Sequence, residues 1–172
     1  MGTEFEFRIS SREIDIDKER SGQGLGLSIA DQKLLDRNGD INQADLKYAL
    51  HVNEKHGILM GFVFTDNDLD GKAMSNDGYA FSGTHVWTMA SGSRLISNFV
   101  FGAFEYEEEN PVYDATDEFD RVAVSVTYFR PEPFGIKHWV LNAGAVYGED
   151  DHDIDFYTSE IASASIGMLR RF

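Results

Sequence analysis

The feature that most constrains this chain is a two-residue rhythm of apolar side chains, repeated with polar breaks between the repeats. Val122, Val124, Val126 and Tyr128 fall on one side of their segment, and Arg121, Ala123, Ser125 and Thr127 on the other. Trp139, Leu141, Ala143, Ala145 and Tyr147 repeat the pattern opposite Asn142 and Gly144. Ala162, Ala164, Ile166, Met168 and Phe172 repeat it again opposite Ser163, Ser165 and Gly167. A period of two is that of a β-strand, whose successive side chains point to opposite faces. One apolar face, one small or polar face and a terminal aromatic make the pattern of a strand between lipid and a polar lumen.

Further strands precede these three. Gly22–Ala30 sets Leu25, Leu27 and Ile29 against Gly24, Gly26 and Ser28, and is expected to be the first barrel strand, its small residues inward where strands crowd. Leu46, Tyr48, Leu50 and Val52 then alternate with Asp45, Lys47 and His51, and Ile58, Met60, Phe62 and Phe64 make the next face. Tyr79, Phe81, Trp87 and Met89 share a parity that Gly83 and His85 interrupt, and Leu95, Phe99, Phe101 and Ala103 compete with Ile96, Val100 and Phe104. No segment sustains a helical period. The expected fold is all-β, an antiparallel up-and-down transmembrane β-barrel of about eight strands. Residues 1–21 are read as a tail, a tag or an additional strand, and residues 22–172 as the barrel domain.

Connection lengths and charges alternate together. NEKHG, ASGS and PEPFG are short, while those at 32–42, 66–77, 107–119 and 148–156 are long and acidic. Short turns at one end and long loops at the other are the asymmetry of outer-membrane barrels, and an even strand count puts both termini at the short-turn end.

Composition removes whole classes of function. Thirty acidic residues against 15 basic ones give a net charge of -15, which argues against nucleic acid as a partner. There is no cysteine, hence no disulfide, thiol nucleophile or thiolate metal site. A mean hydropathy of -0.34, with no apolar run near the roughly 20 residues of a spanning helix, excludes a helical membrane protein but not a barrel. Met1–Ser10 lacks the apolar core of a signal peptide, so an exported protein of this sequence is expected to be a mature form. The opening Met-Gly-Thr-Glu-Phe reads like a cloning remnant, a reading that carries no weight for the fold.

Several motifs carry a family resemblance: LLDRNGDIN at 34–42, LDGKAMSNDGY at 69–79, NPVYDATDEFDR at 110–121, EPFGIKHW at 132–139 and DIDFYTSEIASASIGMLRRF at 153–172. In that order they resemble a family of uncharacterised outer-membrane β-barrel proteins of Gram-negative bacteria, a domain of unknown function. The NPV…DR and IDFY…RF pair is also similar to the C-terminal barrel of surface-lipoprotein assembly proteins. The resemblance implies an outer-membrane location, outer-membrane lipid as surroundings, and recognition of Phe172 by the barrel-assembly machinery; it implies no activity. Family members are longer, which implies the C-terminal part of a larger barrel. Phe119 departs from the pattern, standing where a further acidic residue is expected.

Two loops have carboxylates at calcium-loop spacing. Asp66, Asp68 and Asp70 alternate ahead of Gly71, with Asp77 at the twelfth position, and Asp36, Asn38, Asp40 and Asn42 are spaced similarly with the glycine one place early. Alternating oxygen ligands around a glycine can wrap a hard cation such as calcium. The same residues are also those of ordinary solvated turns. Asp45, Lys47, His51 and Arg121 are expected to line the lumen, as a buried ion-pair network in a narrow barrel. The histidines at 51, 56, 85, 138 and 152 show no zinc spacing, and no serine sits in a hydrolase elbow, so no catalytic residue is assigned. Trp87, Trp139, Tyr128, Phe129, Tyr147, Phe156 and Tyr157 are expected to form interface girdles.

The expected role is a non-enzymatic outer-membrane barrel, structural or a narrow pore. The rivals are part of a wider porin-like channel, a soluble lipocalin-like carrier of an apolar ligand with the apolar face inward, and a barrel enzyme acting on lipid.

Overall fold

The computed structural model describes residues 2–16, 22 and 24–170. Eight strands follow in order: β1 (Gly2–Ile14), β2 (Gly39–His51), β3 (His56–Leu69), β4 (Asn76–Thr88), β5 (Arg94–Tyr106), β6 (Glu118–Pro131), β7 (Trp139–His152) and β8 (Ser159–Arg170). They form one antiparallel up-and-down sheet in the order β1-β2-β3-β4-β5-β6-β7-β8. Among the described residues no ladder joins β1 to β8, so the sheet has two open edges and is not closed. Among the described residues the one helix is the short α1 (Ile29–Leu34), and Pro133–Gly135 form a tight turn.

One expectation is corrected. Gly22–Ala30 is not a strand: Gly22, Gly24 and Gly26 have φ of 70°, 87° and 76°, left-handed backbone that extended chain never uses. Ser28 then caps α1, accepting the Asp31 backbone N–H while the Asp31 carboxylate accepts the Ser28 N–H, a reciprocal box that starts a helix. The alternating glycines are turn residues, not lumen-facing ones. The eighth strand is instead β1, within the residues read as a tail, a tag or an additional strand, and in it Gly2–Phe5 pair with His51–Tyr48. Phe172 and Arg171 lie outside the described residues.

Direct cross-strand partners share a face, so the register can be followed as rows across the sheet. One row runs Phe7, Leu46, Phe62, Phe81, Phe101, Val122, and the next Phe5, Tyr48, Met60, Gly83, Phe99, Val124, Tyr147. The parities expected for β2 to β8 are those observed. Toward the long connections the same face becomes acidic: Asp66, Asp77, Glu105 and Glu118 are successive partners across β3 to β6, with Asp40 opposite Asp68 beside them.

The other face mixes small and polar side chains with apolar ones such as Val63, Val100 and Phe104. Thr84 donates to the Asn98 Oδ1 at 2.8 Å and the Asn98 amide donates to Ser125 Oγ at 3.0 Å, a chain of hydrogen bonds crossing β4, β5 and β6.

Large apolar side chains of the strands are exposed and few are buried. Phe62, Phe101 and Val124 are 41%, 44% and 47% exposed, while the buried apolar side chains among the described residues are Leu35, Ala73, Val140 and Ile154. Three of these four lie in long connections rather than in strands. The sheet has no hydrophobic core on either face.

Candidate functional site

The four residues expected to line a lumen do share the polar face, but they form two local clusters rather than one network. The Asp45 carboxylate is buried and accepts from Arg8 Nε at 3.4 Å and from the Gln43 amide at 2.9 Å. Arg121 donates through Nε and Nη2 to the two oxygens of Asp150, both at 2.8 Å. Its guanidinium also lies 5.7 Å from the Phe104 ring centre and 5.6 Å from that of Phe119. Asp45 and Arg121 belong to one register row, separated by Val63, Ala80 and Gly102. Lys47 is half-buried and His51 exposed. The polar face is thus charged at its flanks and neutral in its middle.

The carboxylates at calcium-loop spacing are dispersed along strands. Asp66 and Asp68 are in β3 and Asp77 in β4, directly opposite Asp66. Asp68 pairs with Lys72. Asp36 accepts the Asn38 backbone N–H at 3.0 Å in a local turn, Asn38 Oδ1 accepts from Ile16 N at 2.6 Å, and Asp40 sits in β2. Asp70 is in the turn after β3, its N–H bonded to the Asn38 carbonyl at 2.8 Å. Among the described residues no group of three or more acidic or histidine side chains gathers to hold a metal ion.

What these segments do build is a cap over one end of the sheet. The connection at 15–38 joins that at 70–75 through Gly71 N to Asp36 O at 3.2 Å and Ala73 N to Leu34 O at 3.1 Å. A Cβ on Gly71 would lie 2.3 Å from the Asp36 nitrogen, so only glycine permits this approach. The second connection meets the third through Glu107 N to Ser75 O at 3.1 Å and through Lys72, whose ammonium lies 3.2 Å from Glu107. The hydrogen bonds Lys72 donates to Asp68 and Glu107 raise its pKa. Third and fourth connections meet where Asp117 Oδ2 lies 2.7 Å from His152 Nδ1 and Asp117 Oδ1 accepts Ile154 N–H at 3.1 Å. Nearby, the Asn110 amide donates to the Tyr157 hydroxyl at 3.3 Å. Leu35, Ala73, Ser75, Asn110, Asp117 and Ile154 are all buried here, at the long-connection end.

Aromatic rings complete the cap. His152 stacks on Phe119 at 4.2 Å and Phe119 on Phe104 at 4.6 Å, with Arg121 over both phenylalanines. Phe119 is the middle ring of this stack. Tyr113, Phe156 and Tyr157 pack at 5.4 to 5.8 Å as a second cluster. Burial, with Tyr113 adding to it, raises the Tyr157 pKa. Phe156 and Tyr157 therefore belong to a connection, and Phe129 lies on the polar face, whereas Trp87, Tyr128 and Tyr147 stand on the apolar face as expected of girdle residues.

Sequence reasoning missed two histidine contacts. His152 meets Asp117 from 35 residues away. At the opposite end, His56 Nδ1 and His85 Nε2 lie 3.0 Å apart, their rings stacked at 5.3 Å with Trp87 beyond at 6.0 Å from His56. Pairing strands across the short turn, so that His56 falls opposite Trp87, is the signal that finds this second contact.

Sheet and cap define an all-β protein built on one up-and-down antiparallel sheet, open at both edges, with its ordered connections gathered at one end. The chain belongs to the family described as Protein of unknown function (DUF2860), whose model matches residues 1–170. No curated protein and no solved structure matches it.

Proposed function

We propose that this chain forms the wall of an outer-membrane β-barrel, with its apolar face on lipid and its small, polar face on a lumen, and that it acts as a structural or narrow pore protein rather than an enzyme. One observation carries this reading: large apolar side chains are exposed in continuous rows across the strands while almost nothing apolar is buried. Soluble proteins rarely expose contiguous apolar patches beyond a few hundred Å². In a bilayer the same rows are satisfied by acyl chains.

Strand length and edges support the reading. Strands of 12 to 14 residues exceed the roughly 9–11 that cross a bilayer when tilted. Hydrocarbon tolerates no open edge, so β1 and β8 must pair in the membrane, with each other or with further strands of a wider barrel. A soluble carrier would need Val122, Val124, Val126, Trp139 and Leu141 packed around an interior ligand, and the exposure of the three valines, 41% to 47%, favours the membrane reading over it.

The test is behaviour in detergent. The purified protein is expected to require detergent and to run as a compact band that shifts on boiling. Monodisperse behaviour without detergent would refute the proposal. Conductance steps in a planar bilayer would then separate a pore from a closed barrel.

A further inference from the structure

The cap forms a half-open cavity of about 270 Å³ to which the pore reading assigns no role. It lies between three connections, with Ala73 and Met74 from the second, Tyr106, Glu108, Asn110 and Asp117 from β5 and the third, and His152 and Tyr157 from β7 and the fourth. The volume is just below the roughly 300–1,000 Å³ of sites for drug-sized ligands, so its occupant is a small molecule.

We infer that this cavity binds a small organic cation with an apolar body, of the quaternary-ammonium kind. Two phenol rings, Tyr106 and Tyr157, stand beside the apolar Ala73 and Met74, and a ring face attracts a cation with alkyl substituents. Lys and Arg are absent from the lining, and Glu108 and Asp117 supply carboxylates. Asp117 is already engaged, one oxygen with His152 and the other with Ile154 N–H. Glu108 is exposed and enters no ion pair among the described residues, so its charge is the one available to a ligand. The walls are tied together before any ligand arrives, by Asp117 with His152, Asn110 with Tyr157 and Glu107 with Ser75. A pre-ordered site loses little affinity to ordering its own side chains. A chain of net charge -15 also draws cations toward this acidic end and repels anions. This inference stands on the cavity and holds whether or not the protein conducts.

The experiment is a calorimetric titration of the folded full chain with choline, and in parallel with 3,3-dimethylbutan-1-ol, its uncharged isostere of equal shape. Choline is expected to bind saturably at one site, and the isostere at least tenfold more weakly. Glu108→Gln, at an exposed position that leaves the fold intact, is expected to weaken choline at least fivefold. Tyr157→Ala should weaken it comparably, while Tyr157→Phe, which keeps the ring and loses only the Asn110 tie, is expected to weaken it by less than Tyr157→Ala. Equal affinity for choline and isostere, no saturable choline binding, or unchanged affinity in both Glu108→Gln and Tyr157→Ala would overturn the assignment.

Discussion

Asp117 and His152 lie 35 residues apart in sequence and 2.7 Å apart in space, Oδ2 to Nδ1, with both side chains nearly buried. The contact locks the third connection to the end of β7, and the other Asp117 oxygen takes the Ile154 N–H. Two buried groups therefore depend on one carboxylate. Replacing it strands both, and an unsatisfied buried polar group costs about 1–3 kcal/mol. Asp117→Ala is expected to destabilise the folded protein by about 2–3 kcal/mol. Chymotrypsin cleavage near Phe156 and Tyr157 should accelerate with it, measured by proteolysis under native conditions.

Asp66 and Asp77 are direct cross-strand partners in a row that continues through Glu105 and Glu118. Like charges directly opposite destabilise a ladder, by the same scale as favourable pairs stabilise it. Asp77→Asn is expected to raise stability by about 0.2–1 kcal/mol at low salt. The gain should shrink as ionic strength screens the row, and denaturant titrations at two salt concentrations check both the sign and the trend.

Lys72 holds the second connection to the third through Asp68 and Glu107, and those carboxylates raise its pKa above the ordinary 10.5. A cation whose pKa is raised on folding binds its proton more tightly in the folded state. Its contribution is therefore complete below the ordinary value and is lost as pH rises through the raised one. Tyr157, raised mainly by burial, acts in the same direction from its ordinary value of 10.0. The cap is expected to loosen in alkali, read as faster amide exchange at residues 70–75 and 107–117. Lys72→Met should remove the lysine part of that dependence and leave the tyrosine part.

Most of the sheet was legible in the sequence because alternation reports directly on which face a side chain takes. The parities of Leu46, Phe62, Val122 and Leu141 followed from it, as did the division into short turns and long connections. The first strand was misplaced for a physical reason. GQGLGLSIA alternates as well as any strand, but its glycines alternate because three of them need left-handed backbone, and the apolar residues between them mark a turn and a helix start. The cap was illegible because its contacts join residues such as Asp36 and Gly71 or Asp117 and His152, which no periodicity relates. Spacing within DNDLDG suggested a cation site; the register instead spreads those carboxylates along β3 and β4, where Asp66 faces Asp77 and Asp68 faces Asp40.

The central claim is that the apolar rows face lipid, and site-directed labelling tests it most directly. The chain has no cysteine, so a single introduced thiol is the sole labelling site. Environment-sensitive fluorophores at Phe101→Cys and Val124→Cys on the apolar face, and at Ser125→Cys and Thr84→Cys on the polar face, would be read in vesicles containing lipid with a quencher on its acyl chains. Strong quenching at 101 and 124 with little at 125 and 84 is the predicted result. Equal quenching on both faces, or quenching confined to 125 and 84, would contradict the account.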